Sequence, residues 1–129
     1  MASGPNTVCF DFDGVIHSYI SPFDLTNIPD HPNADAMILI AMLRANGYKV
    51  VVNSSRCVTS EGVELVKDYL KKYNIVVDEV SNVKPIAFCY VDDRAMLYTP
   101  KKTPQEIEAF YKEIISFKSW GDKVKGKIT

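Results

Sequence analysis

Three short apolar runs, each closing on polar residues, constrain the fold of this chain more than any other feature. They are Thr-Val-Cys-Phe-Asp at 7–11, Tyr-Lys-Val-Val-Val-Asn at 48–53 and Ile-Ala-Phe-Cys-Tyr-Val-Asp at 86–92. Near-continuous apolar runs of this length suit strands covered on both faces, as in a parallel sheet. Helix-length segments lie between and after them. Strands alternating with helices predict βαβ units, and so an α/β fold: a three-layer, Rossmann-like parallel sheet with helices on both faces. With 129 residues, 47% of them hydrophobic, the chain has the size of a single domain, 1–129. It can bury a core without disulfides or metal staples.

The first helix is expected over 34–46, with Asn33 as N-cap and Gly47 as its stop. Its centre, Ala-Met-Ile-Leu-Ile-Ala-Met-Leu, is apolar all round. That points to burial in the core, or else to an interface with a second copy of the chain. The second helix, over 61–73, places Val63, Val66, Tyr69, Leu70 and Tyr73 on one face. The third opens at Thr103-Pro104-Gln105-Glu106, a capping box with proline at the first helical position, and runs to about Lys118. Its inward residues would be Ile107, Phe110, Tyr111, Ile114 and Ile115. Residues 14–32, with Pro22, Pro29 and Pro32, read as a flap loop of a length that is usually functional or disordered. The segment 121–129 reads as a basic, frayed tail.

A net charge of -1 excludes a globally basic nucleic-acid binder and leaves room for a local patch. The longest uncharged apolar stretch, eight residues at 36–43, falls far short of the roughly 20 that a membrane helix needs. The first five residues lack the basic and apolar regions of a signal peptide. Cys9, Cys57 and Cys89 form no CxxC or Cys/His cluster. Cys9 and Cys89 read as small buried hydrophobes, and Cys57, beside Arg56, as a thiol that a cation could bias toward thiolate. A reducing, cytoplasmic setting is expected.

In an open parallel sheet, ligands bind outside the carboxyl ends of the strands. There the first run delivers Asp11-Phe12-Asp13-Gly14, the second Asn53-Ser54-Ser55-Arg56 and the third Asp92-Asp93-Arg94, with Lys84 just ahead of it. Four carboxylates gathered at one edge either raise one another's pKa or take up a cation. Oxygen donors without His or Cys select a hard ion, Mg²⁺ rather than Zn²⁺. A metal, a lysine and a hydroxyl together neutralise a phosphoryl group, which a carboxylate can then attack.

These same residues resemble the four motifs of the haloacid dehalogenase superfamily. Val8-Cys9-Phe10-Asp11-Phe12-Asp13-Gly14-Val15-Ile16 resembles the first motif, a strand followed by Asp-x-Asp-Gly. Val50-Val51-Val52-Asn53-Ser54 resembles the second, Lys84 fits the third, and Tyr90-Val91-Asp92-Asp93 the fourth, all in the family's order. The resemblance implies a Mg²⁺-dependent phosphohydrolase working through an aspartyl-phosphate. It implies Asp11 as nucleophile and metal ligand. Asp13 would be general acid and then base, with its carbonyl on the metal. Ser54, or Ser55 if the register slips by one, would bind a phosphoryl oxygen, and Lys84 would be its counter-charge. Asp92 and Asp93 would be further metal ligands.

No cap insertion fits between these motifs. The site is therefore expected to be open, roofed by the flap, where His17 and Tyr19 are candidate substrate contacts. Ser54-Ser55-Arg56 and Asp92-Asp93-Arg94 also resemble endings found in polynucleotide 3'-phosphatase domains. That implies a nucleic-acid or nucleotide 3'-end as the alternative to a small phosphorylated molecule, with Arg56 on a second phosphate or the leaving group. No GxxxxGK[ST] occurs, so a kinase half is not expected. The reading of another class is a non-catalytic or receiver-like phosphate-binding module. Against a receiver, Lys84 precedes the second acidic pair, and Asp11 and Asp13 are not adjacent.

Overall fold

The computed structural model describes residues 4–120; the tail expected at 121–129 lies outside them. Two compact units follow one another along the chain, Met1–Asp92 and Asp93–Thr129. The first contains β1 (Gly4–Phe10), α1 (Ala34–Ala45), β2 (Lys49–Asn53), a 3₁₀ turn (Ser55–Val58), α2 (Ser60–Lys72), β3 (Glu79–Ser81) and β4 (Ala87–Val91). The four strands form one parallel sheet in the order β3-β2-β1-β4, an α/β fold of the three-layer, Rossmann-like kind. The chain moves outward from β1 through β2 to β3, then returns to the other side of β1 as β4. Such a reversal of strand order opens a crevice at the carboxyl ends, where ligands bind in open α/β sheets.

Parallel pairing sets Val8 beside Val50 and Phe10 beside Val52, so the four share one face of the sheet. They join Ile40 of α1, Val66, Tyr69 and Leu70 of α2, and Phe12 and Ile16 from the start of the flap in one buried cluster. Each such side chain contributes about 1.5–3 kcal/mol through burial. Helix α2 forms as its periodicity requires. The Thr59 hydroxyl accepts from the Gly62 N–H at 3.0 Å. Gly62 also permits a close approach: a Cβ there would stand 1.7 Å from the Arg56 carbonyl oxygen.

Three expectations need correction in this unit. Helix α1 is not buried all round. Ala36 and Ile40 are buried, whereas Ile38, Leu39 and Met42 are about half exposed, because the helix meets the cluster along a single stripe. Asn33 occupies the N-cap position, but its amide donates to the Val15 carbonyl at 2.8 Å and makes no cap bond. Strand β4 lies at the sheet's edge with one neighbour, so Phe88, Cys89 and Tyr90 are exposed rather than covered.

The second unit contributes α3 (Pro104–Ile115). The Thr103 hydroxyl accepts from the Glu106 N–H at 3.1 Å, as the capping sequence predicts. The Glu106 carboxylate, however, takes the Lys102 N–H at 3.3 Å rather than that of Thr103. No residue of α3 is buried, and Ile107, Tyr111, Ile114 and Ile115 are half exposed or more. Of the inward stripe read from the sequence, Phe110 meets the ring of Tyr98 at 6.1 Å within its own unit. Among the described residues no helix is long and apolar enough to cross a membrane.

Candidate active site

The β1–β4 pairing runs one residue past the strands. The Asp11 N–H donates to the Val91 carbonyl at 2.9 Å, bringing the residue after β1 next to the residue after β4. One carboxylate oxygen each from Asp11, Asp92 and Asp93 lies within 4.8 Å of the others. A cleft of about 220 Å³ opens at this edge, lined by Asp11, Ser54, Ser55, Lys84, Tyr90 and Asp92, with Cys9, Asn53 and Val91 completing its wall. A larger hollow of about 470 Å³, beside Met37, Ile40 and Val76, shares no residue with it. Burial pushes the Cys9 thiol up to about 11, and the charges of Asp11 and Asp92 add to the rise while Lys84 opposes it. The sulfur therefore stays a neutral thiol, and the donors available to a cation are oxygens. An all-oxygen set of clustered carboxylates fits a hard divalent ion such as Mg²⁺.

Ser54 is buried and begins the 3₁₀ turn. Its Oγ accepts from the Arg56 N–H at 3.2 Å, which uses one lone pair and leaves the hydroxyl hydrogen to donate. Ser55 is exposed in the same cleft. The Asn53 amide donates to the Ser81 carbonyl at 2.9 Å, tying the end of β2 to the end of β3. The Lys84 ammonium sits 4.4 Å over the ring of Tyr90.

Asp13, His17 and Arg56 belong to a different arrangement and do not line the cleft. Gly14, at φ +87°, supplies the left-handed turn that carries the chain from Asp13 into the flap. Arg56 is fully buried. Its Nε and Nη2 donate to the two Asp13 oxygens at 2.8 and 3.2 Å, and its Nη1 donates to the Asp24 carbonyl at 2.6 Å. The Phe23 ring stacks on the same guanidinium at 4.5 Å. His17, 1% exposed, holds Asp13 through Nδ1 at 2.8 Å, and its Nε2 accepts from the Asp30 N–H at 3.2 Å. The same Nε2 lies 3.5 Å from an Asp30 carboxylate oxygen.

Burial pushes the Asp13 carboxyl up, but the hydrogen bonds from His17 and Arg56 and the charge of Arg56 outweigh it. Asp13 is held below the usual carboxylate range. His17 thus acts as a hub inside the flap, and Arg56 is an internal strut. Tyr19 is partly exposed with a left-handed φ of 58°, its ring 6.1 Å from that of His17. Cys57 is buried in the 3₁₀ turn. Burial raises its thiol despite the neighbouring arginine, so the thiolate bias expected of it is absent.

Sequence reasoning missed Tyr90 as a wall of the cleft, and Asp30 and Phe23 as partners of His17 and Arg56. A strand tyrosine facing a lysine six residues earlier carries no local signal. Nor does an acid, thirteen residues beyond a histidine, whose backbone N–H and carboxylate both approach the ring.

Among solved structures, the chain is similar to one chain of the Pnkp1/Rnl/Hen1 RNA repair complex, with a TM-score of 0.56 and 21% identity over 85% of this chain and 40% of the other. It is similarly related to a chain of the Pnkp1/Rnl/Hen1 complex, with a TM-score of 0.50 and 24% identity over 85% of this chain and 35% of the other. It spans well under half the length of either, and at this identity the likeness is one of fold. No protein-family model and no curated protein sequence matches.

Proposed function

We propose that the chain is a Mg²⁺-dependent phosphomonoesterase of the haloacid dehalogenase type. The observation that carries this is the convergence of the Asp11, Asp92 and Asp93 oxygens within 4.8 Å, at a cleft that also presents Ser54 and Lys84. A bound Mg²⁺ would sit on those oxygens and supply positive charge for the phosphate. Asp11 attacks phosphorus, a bond forms between its carboxylate oxygen and phosphorus, and the bond to the leaving oxygen breaks with its electron pair. Lys84 and the Ser54 hydroxyl steady the phosphoryl oxygens as charge moves through them. Water then attacks the aspartyl-phosphate, phosphate departs and the Asp11 carboxylate is restored. Asp13, kept ionised by Arg56 and His17, would take the proton of that water once its carboxylate swings out of that pairing toward the cleft, which it does not line in this structure.

The phosphate of a nucleic-acid 3'-end is the substrate we favour. The fold is similar to that of chains in an RNA repair complex, and the connections between β1, β2, β3 and β4 hold no inserted cap domain, which suits a large substrate.

The test is p-nitrophenyl phosphate turnover with and without Mg²⁺, for wild type and Asp11→Asn. 3'-Phosphorylated oligonucleotides, nucleotides and sugar phosphates are then compared side by side. Expected are Mg²⁺-dependent turnover, its loss in the variant, and the oligonucleotide as best substrate. Stable labelling by acetyl phosphate without turnover would instead mark a receiver-like module. If oligonucleotides prove the poorest substrate, the end-processing reading is wrong.

A further inference from the structure

Lys84 poses a problem that the phosphatase reading does not itself solve. It is a flexible, exposed side chain on the turn before β4, sharing a cleft with Asp11 and Asp92. A mobile ammonium there would collapse onto the carboxylates and cancel the charge meant for a cation. Yet Lys84 makes no ion pair among the described residues. Its ammonium rests instead over the face of Tyr90, 4.4 Å from the ring centroid. A ring face attracts a cation without neutralising it. The same tyrosine donates its hydroxyl to the Pro85 carbonyl at 2.7 Å, so one residue of β4 fixes both the turn that carries Lys84 and the tip of its side chain.

We infer that Tyr90 is the positioning residue for Lys84. It seats the ammonium in the cleft, off the acidic cluster and ready for a phosphoryl oxygen. This rests on the phosphatase reading for its consequence, and on the cleft geometry alone for the contact. Because Lys84 meets the phosphoryl group in the bound substrate as well as in the transition state, loss of the seat weakens binding more than it slows chemistry.

The experiment compares wild type, Tyr90→Phe and Tyr90→Leu. In NMR spectra of ¹³C-lysine-labelled protein, with the Lys84 signals assigned through Lys84→Arg, the ring places the Lys84 ε-methylene upfield in wild type and Tyr90→Phe. The shift is lost in Tyr90→Leu. In steady-state assays with Mg²⁺, Tyr90→Leu raises KM for p-nitrophenyl phosphate and Ki for inorganic phosphate together by about two- to fivefold, the range for an exposed cation–π contact. Its kcat stays close to wild type, and Tyr90→Phe restores most of the affinity. An ε-methylene at the position of an ordinary exposed lysine in wild type overturns the contact. Unchanged KM and Ki in Tyr90→Leu, while Asp11→Asn is inactive, overturn the role but not the phosphatase. No turnover in wild type overturns the phosphatase reading, and the NMR comparison still decides the contact.

Discussion

Replacing Arg56 with methionine tests the internal strut most directly. The substitution keeps much of the side-chain volume and removes three donors: two to the Asp13 carboxylate and one to the Asp24 carbonyl. Deleting one partner of a buried ion pair costs about 3–5 kcal/mol, because the other charge is left behind. Asp13 is 13% exposed and keeps its His17 bond, so the lower end applies, about 3 kcal/mol. For a chain of this size that lowers Tm by about 10–15 °C.

The pH dependence has a sign of its own. In wild type the Asp13 carboxyl titrates below its unfolded value, so the pair's stability is fully present above the ordinary carboxylate range and disappears as pH falls through the folded value. Without Arg56, burial is opposed by His17 alone. The folded carboxyl then titrates higher than it does in wild type, so its ionisation contributes less stability in the variant. The gap between wild type and variant therefore narrows on acidification from pH 7 to about 4. Urea unfolding at both pH values measures it, and R56M/D13N, which removes the stranded charge, recovers at least half the loss at pH 7. An R56M protein within about 1 kcal/mol of wild type at pH 7, with the same acid limb, would refute the strut.

Gly62→Ala forces a methyl into the Arg56 backbone carbonyl and destabilises by about 1–3 kcal/mol or more in thermal melts. Tyr69→Phe removes the 2.8 Å bond from its hydroxyl to the Asp30 carbonyl, costs about 1 kcal/mol, and speeds amide exchange at Asp30 in the flap. In the proposed reaction Asp13, ionised and tied to Arg56 and His17 outside the cleft, gives the leaving oxygen no proton. Aryl phosphates should turn over about a hundredfold faster in kcat than alkyl phosphates, and a flat dependence on leaving-group pKa would count against that account.

The apolar runs at 7–11, 48–53 and 86–92 made three of the four strands legible, because strands in a parallel sheet announce themselves by continuous apolar composition. Strand β3, three residues with Glu79 at its start, is too short to carry a pattern and is visible in the sequence only as a short extended segment. That Asp11, Ser54 and Asp92 would meet follows from strand ends sharing one edge, whereas Lys84 precedes β4 and reaches the same cleft from the connection between β3 and β4. The fate of Arg56 does not follow. Its sequence neighbours Ser54 and Ser55 point it at the cleft, yet a carboxylate 43 residues away draws its guanidinium inside. His17 is hidden in the same manner, since a buried histidine and a substrate-binding one look alike in a string of letters. Helix α1 failed for the opposite reason: an all-apolar segment shows no stripe, so nothing in it foretold which side chains would remain in water.

The sheet's reversal also bears on how the acidic edge comes into being. Val8 and Cys89 lie side by side in the β1–β4 ladder, so this pairing closes a loop of about eighty residues, whereas β1 with β2 closes about half as many. Contacts so distant along the chain are the slow ones during folding. A refolding polypeptide should regain its helical signal and its β1–β2 core first. It should acquire the edge where Asp11 meets Asp92 only when its remotest strand docks, so that the proposed phosphatase turnover recovers later than circular dichroism.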